Sequence, residues 1–128
     1  MLFTGKDRFA IAEVSFETDD AYPANTRVVL TGNITNRGHQ ELTVADDTEV
    51  GVGTLVRRTV QDDMDGALYT RNASGPIPYI ADAVMPANTP VFAAAAGRVS
   101  AAGSVPMGTT ITASEGVGDN VLVIPPAT

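Results

Sequence analysis

Residues 86–124 read PANTPVFAAAAGRVSAAGSVPMGTTITASEGVGDNVLVI, and this stretch indicates the fold class most clearly. Its only charged residues are Arg98, Glu115 and Asp119. Short apolar runs alternate with glycine, proline and small polar residues, and no run keeps a helical spacing over three turns. A run of four alanines before Gly97 is too short for a stable helix. Short β-rich runs broken by turn residues are typical of a compact all-β domain, which we therefore predict.

One motif of this stretch, Pro-Ala-Asn-Thr at 86–89, also occurs at 23–26. Each copy precedes an apolar run, and a Gly-rich segment further on, at 49–53 or at 115–118, continues the similarity. The pattern indicates an internal duplication of a β-unit. The alternative is chance similarity among turn-rich strands, in which Gly, Pro and Asn recur for turn chemistry alone.

The rest of the chain also predicts short strands. A small barrel or sandwich of eight to ten strands would account for the whole pattern. We expect an N-terminal arm at 1–10 and a single β-domain at 11–128, with duplicated halves at 21–60 and 84–124. We predict a loop at 17–23 and a hairpin turn at 65–66. The predicted strands are 9–16, 27–30, 33–35, 41–44, 50–60 and 67–70. The glycines of 50–60 predict a bend or a close backbone approach in that strand.

Composition excludes several classes of function. The chain has 128 residues, no Cys and a net charge of -7, so a disulfide framework, a thiolate metal site and nucleic-acid binding are not expected. No apolar run approaches the length of a membrane helix, and the N-terminus predicts no signal peptide. Residues 84–128 hold only three of the charged side chains. This nearly uncharged third is either core or a surface that a partner covers.

The sequence predicts no catalytic site, and we expect neither an enzyme nor a cofactor or metal. The single histidine, His39, lies in a polar loop without a candidate nucleophile, and a solvated side chain is the simplest interpretation. The acidic pairs at 19–20, 46–47 and 62–63 fall in predicted turns, where Asp is favoured for local hydrogen bonds. A calcium-binding loop around Gly66 is not predicted, because its first and last ligand positions need carboxylates and would here be Gln and Asn.

Several runs together resemble the capsid decoration (cement) proteins of tailed bacteriophages. They are GVGTL at 51–55, DGALYT at 65–70, ANTPVFAAAAGRVS at 87–100, MGTT at 107–110 and GDNVLV at 118–123. The resemblance covers roughly residues 45–124 and consists in the order and spacing of small residues. The chain departs from that pattern at 107–109 and in the polar segment 41–48.

The resemblance implies a structural virion protein that is made in the host cytoplasm and binds the outer surface of an icosahedral head. Its partners would be the major capsid protein and two further copies of itself, and its effect would be to stabilise the shell. We expect capsid contacts from the arm residues Leu2, Phe3, Lys6 and Arg8. We assign the trimer interface to Tyr79, Ile80, Phe92, Arg98 and Met107.

Two other classes of function remain open at this point. A small-ligand or carbohydrate-binding β-domain would show a cluster of exposed aromatic residues, but Tyr22, Tyr69 and Tyr79 are scattered along the sequence. A lipoyl-like carrier domain would need a lysine at a hairpin tip. The only lysine is Lys6, in the arm. The structural role on a phage head is therefore the leading hypothesis.

Overall fold

The computed structural model describes residues 15–60, 65–70 and 75–126. Within these residues the protein is all-β, as predicted, with eleven short strands, one 3-10 turn at Ala95–Gly97 and no α-helix. The strands are β1 (Phe16–Thr18), β2 (Arg27–Ile34), β3 (Gln40–Val44), β4 (Gly53–Leu55), β5 (Asp65–Gly66), β6 (Leu68–Thr70), β7 (Ile77–Ile80), β8 (Pro90–Ala93), β9 (Val99–Ser100), β10 (Pro106–Thr110) and β11 (Asn120–Ile124).

The first sheet, with strand order β5-β1-β3-β2-β4-β6, curls into a small barrel, here called barrel 1. Its two edge strands, β5 and β6, are consecutive in the chain and separated only by Ala67. The segment 65–70 therefore pairs with β1 through β5 and with β4 through β6, which brings the two edges of the sheet together. The buried side chains of Val28, Leu42 and Leu55 form its core.

The second sheet has the order β7-β11-β10-β8-β9 and forms barrel 2. A parallel bridge between Ala81, just after β7, and Val99 on β9 brings its two edges together. The amide of Asp82 donates to the carbonyl of Val99 at 3.0 Å across the same closure. Its core is larger than that of barrel 1 and consists of Ile77, Tyr79, Ala81, Met85, Val91, Ala93, Val99, Met107, Val121 and Val123.

The two barrels repeat one pairing register. Both Pro-Ala-Asn-Thr turns hold their asparagine at positive φ, 68° for Asn25 and 66° for Asn88, and in both the threonine hydroxyl donates to the proline carbonyl. The strands that follow are paired alike. The corresponding pairs are Val28–Gly53 and Val91–Gly108, Leu30–Leu42 and Ala93–Val99, Thr18–Leu42 and Ala81–Val99, and Leu55–Leu68 and Thr110–Val123.

This repeat begins earlier in each half than the bounds expected from the sequence, 21–60 and 84–124. By register the Gly-rich segment 49–53 matches the region of Gly108, so the alignment of 49–53 with 115–118 is wrong. Pairing, rather than local composition, decides which residues correspond. An origin by duplication stays a prediction.

Four local predictions differ from the structure. Residues 27–34 form one strand rather than two, and Glu17 and Thr18 belong to β1 rather than to a loop. The expected strand at 50–60 is reduced to Gly53–Leu55, because Gly51 turns the chain with φ +90° against the backbone of Val28. Asp65–Gly66 is a strand rather than a hairpin turn. The arm at 1–10 and most of the predicted strand at 9–16 lie outside the described residues.

Candidate docking surface and the joint between the barrels

A buried arginine joins the two barrels. Arg27 begins β2 beside the core residue Val28, and its side chain is fully buried on the opposite face of the strand. The turn 94–98 between β8 and β9 of barrel 2 lies against it. Around Arg27, Gly97 donates its amide to the carbonyl of Ala45 at 2.9 Å, and a Cβ at Gly97 would collide with the methyl group of Thr26. Only a glycine allows this close approach.

The Arg27 guanidinium donates to backbone carbonyls from two distant parts of the chain. It reaches Asp46 at 2.9 Å, Ala94 at 2.7 Å and Arg98 at 3.2 Å, and it also bonds Glu49. Burial lowers the pKa of Arg27, but a guanidinium stays protonated in proteins. A buried charge is costly unless hydrogen bonds satisfy it, and here the carbonyls accept from both terminal nitrogens, whereas Nε is buried without a hydrogen-bond partner among the described residues. Arg27 is therefore a structural clamp between the barrels.

A second polar cluster lies where β1 meets the β2–β3 hairpin. The carboxylate of Glu17 lies 3.6 Å from Arg37 and 3.4 Å from Nδ1 of His39, and it accepts a hydrogen bond from Thr35. His39 is half-buried against Glu17, so its expected solvated position is wrong. In the parts of the chain that the structure describes, no three His, Cys, Asp or Glu side chains come together in a way that could hold a metal ion.

The three tyrosines do not share a face. Tyr79 lies in the core of barrel 2, whereas Tyr69 is exposed on β6. The hydroxyl of Tyr22 donates to Asp19, and burial together with this hydrogen bond raises the pKa of Tyr22. An aromatic platform for sugar rings is therefore not formed by these residues.

The outer face of barrel 2 carries an apolar groove. On β11, Val121 and Val123 point into the core, whereas Leu122 and Ile124 point outwards. The nearly uncharged last third thus supplies both core and exposed apolar surface. The groove has a volume of about 560 Å³, and the residues that line it are all uncharged. They are Asn88, Pro90, Val91, Phe92, Pro106, Gly108, Thr109, Thr110, Ile111, Ile124, Pro125 and Pro126.

The five residues expected at a trimer interface do not form one surface. Tyr79, Ile80 and Met107 are buried inside barrel 2, so their side chains are unavailable to a second subunit without repacking. Phe92 is half-buried in the groove, and Arg98 is half-buried beside the clamp. Their role in a trimer stays a prediction, with Phe92 and Arg98 as the members that retain accessible surface. The expected capsid-contact residues, Leu2, Phe3, Lys6 and Arg8, lie outside the described residues.

Neither the clamp nor the groove has a direct signal in the sequence. Arg27 lies in a pattern typical of an ordinary strand, and only the lack of charge in the last third indicates an apolar surface. Residues 15–60, 65–70 and 75–126 contain no helix that is long and apolar enough to cross a bilayer.

The fold is shared with a solved phage protein. No family model and no curated protein matches the chain. The crystal structure of the N base of head fiber gp8.5 in bacteriophage phi29 superimposes with a TM-score of 0.71. The match covers 88% of this chain and 91% of that chain, at 10% sequence identity. At this identity the likeness is one of fold, and it extends over nearly the full length of both chains.

Proposed function

We propose that this chain is a structural virion protein that binds the outer surface of an assembled icosahedral phage head as a homotrimer and stabilises it. The observation that carries the proposal is the fold shared with the phi29 head fiber base over nearly the whole of both chains. The resemblance of residues 45–124 to capsid decoration proteins supports the same role independently of that fold match.

The surface of barrel 2 suits a protein that acts by covering other proteins. Its groove is apolar and uncharged, as the buried centre of a protein interface tends to be. Each contact with the major capsid protein can be weak, because several contacts per trimer on a rigid lattice add up to strong attachment. A protein that binds only the assembled shell also stabilises the shell by mass action.

The N-terminal arm is the proposed attachment to the capsid. Leu2 and Phe3 offer apolar anchors, and Lys6 and Arg8 offer positive charge in a chain of net charge -7. We assign these four residues to contacts between neighbouring capsid proteins. The acidic residues of the first two thirds then face solvent and keep particles apart through repulsion.

The proposal is tested with heads from the phage that encodes the chain, prepared without it. Purified protein is added, and the heads are pelleted and then melted in a calorimeter. We expect saturable co-sedimentation with expanded heads and a higher melting temperature of the shell. Heads that neither bind the protein nor change their melting temperature would refute the proposal.

The arm is tested in the same assay with a variant that lacks residues 1–8. We expect the variant to lose binding to heads while its oligomeric state in solution is unchanged. Full binding by this variant would remove the arm from the mechanism and leave the surface of the barrels as the attachment site.

A further inference from the structure

The groove of barrel 2 corresponds by register to the covered face of barrel 1. The pair Arg27–Thr54 on β2 and β4 has its counterpart in Pro90–Thr109 on β8 and β10. Arg27 and Thr54 are both fully buried, and Arg27 bonds the turn 94–98 of barrel 2. Pro90 and Thr109 line the open groove. The same face is therefore covered within the chain in barrel 1, and in barrel 2 the described residues leave it open.

The element that covers the barrel 1 face also has a counterpart. The turn 94–98 lies between β8 and β9, whose last pair, Ala93–Val99, matches Leu30–Leu42 at the base of the β2–β3 hairpin. Residues 31–41 of barrel 1 thus correspond to the turn 94–98 of barrel 2. They form a longer hairpin. Among the described residues, this hairpin does not pack against barrel 2 as the turn 94–98 packs against barrel 1.

We propose that the groove of barrel 2 takes the β2–β3 hairpin of barrel 1 from a second copy of this chain. The joint inside each chain would then be repeated between chains, head to tail. This inference rests on the proposed homotrimer and assigns its interface. Such a contact uses two different surfaces, so it forms a ring when its rotation closes, and three copies closing in this way give a trimer.

The chemistry of the two surfaces agrees with this assignment. Pro90 has no donor with which to hold carbonyls as Arg27 does, so the contact between chains has to be mainly apolar. The hairpin strand β2 exposes two large apolar side chains, Leu30 at 45% and Ile34 at 58%. The groove offers Phe92 and Ile124 to receive them. Burying such side chains supplies the stabilisation that the missing guanidinium cannot.

The test uses one charged substitution on each surface and measures oligomeric state without any capsid present. Ile34→Lys alters the hairpin, and Ile124→Lys alters the groove, where Ile124 is 52% exposed. Val117→Lys is the matched control, because Val117 is 68% exposed and does not line the groove. By analytical ultracentrifugation over a concentration series, we expect trimers for the wild-type protein and the control and monomers for the other two variants.

A mixture of the two defective variants distinguishes this interface from a symmetric one. One variant keeps an intact groove and the other an intact hairpin, so a 1:1 mixture is expected to form a dimer at concentrations where each alone is monomeric. A monomeric wild-type protein, a trimer of either variant, or a mixture without dimer would overturn the inference. If Ile124→Lys fails to fold, Ile111→Lys, 42% exposed on the same groove, replaces it.

Binding to heads is measured separately, so that the two proposals can fail independently. A wild-type trimer that shows the expected variant behaviour but ignores heads would refute the proposed function and leave the interface standing. If the wild-type protein binds heads but Ile34→Lys remains trimeric, the proposed interface is wrong and the proposed function stands.

Discussion

Replacing Arg27 by alanine removes the clamp between the barrels. Four backbone carbonyls lose their donor, and those of Ala94 and Asp46 lie where the barrels meet. Hydrogen bonds to charged groups contribute about 1.5–3 kcal/mol each, but burying the guanidinium offsets part of this. We expect the free energy of unfolding to fall by about 3–5 kcal/mol, because each buried carbonyl left without a donor costs about 1–3 kcal/mol. For a domain of this size that lowers Tm by roughly 10–20 °C.

The assay is urea unfolding followed by circular dichroism, with two comparison variants. Arg27→Lys keeps the charge but has a compact ammonium group that cannot span all the carbonyls, so we expect an intermediate loss. Arg58→Ala, at an exposed position, is the control and should change stability by less than about 0.5 kcal/mol. If Arg27→Ala stays within about 1 kcal/mol of the wild-type protein, the clamp does not hold the barrels together.

Three further substitutions test the repeat and the turns. Gly108→Ala should lower the free energy of unfolding in urea by about 2–4 kcal/mol, because its φ is +134° and a Cβ would overlap a carbonyl of the last strand. Gly116→Ala, the control, should be nearly neutral, because nothing lies near its Cβ position. Equal effects of the two substitutions would contradict this packing. Asn25→Ala and Asn88→Ala should each cost about 1 kcal/mol in thermal melts, because both hold a left-handed backbone, and a loss at only one would show that the two turns are not equivalent. Hydrogen bonds from Thr48 lower the pKa of Asp46 in the folded protein. The ionised Asp46 therefore stabilises the fold above the unfolded pKa of about 3.9, and this stabilisation is lost as the pH falls through the lower folded pKa. If Asp46→Asn leaves the acid dependence of the urea midpoint unchanged, this prediction is wrong.

The fold class was predictable from the sequence because it depends on local patterns. Alternating apolar residues and frequent turn residues indicate short strands wherever they occur. The repeated Pro-Ala-Asn-Thr motif identified two turns that indeed share one geometry, since Asn tolerates positive φ better than most residues. The strands at 41–44 and 67–70 were placed within about a residue of β3 and β6 for the same reason.

The features that depend on distant contacts were not predictable. A bend or close backbone approach is predicted at the glycines of 50–60, and Gly51 makes one, but no local pattern reveals that its partner is the backbone of Val28. Arg27 is buried because carbonyls from 46–49 and 94–98 converge on it. The groove depends on distant strands too, because its lining comes from β8, β10 and β11, and Pro90 occupies there the place that Arg27 has in barrel 1.

The most direct test of a head-bound trimer is cryo-electron microscopy of heads saturated with this protein. We expect trimeric density on the outer surface of the head, in which the β2–β3 hairpin of each copy occupies the groove of the next. Heads without added density, or density from separate single copies whose grooves face solvent, would contradict it.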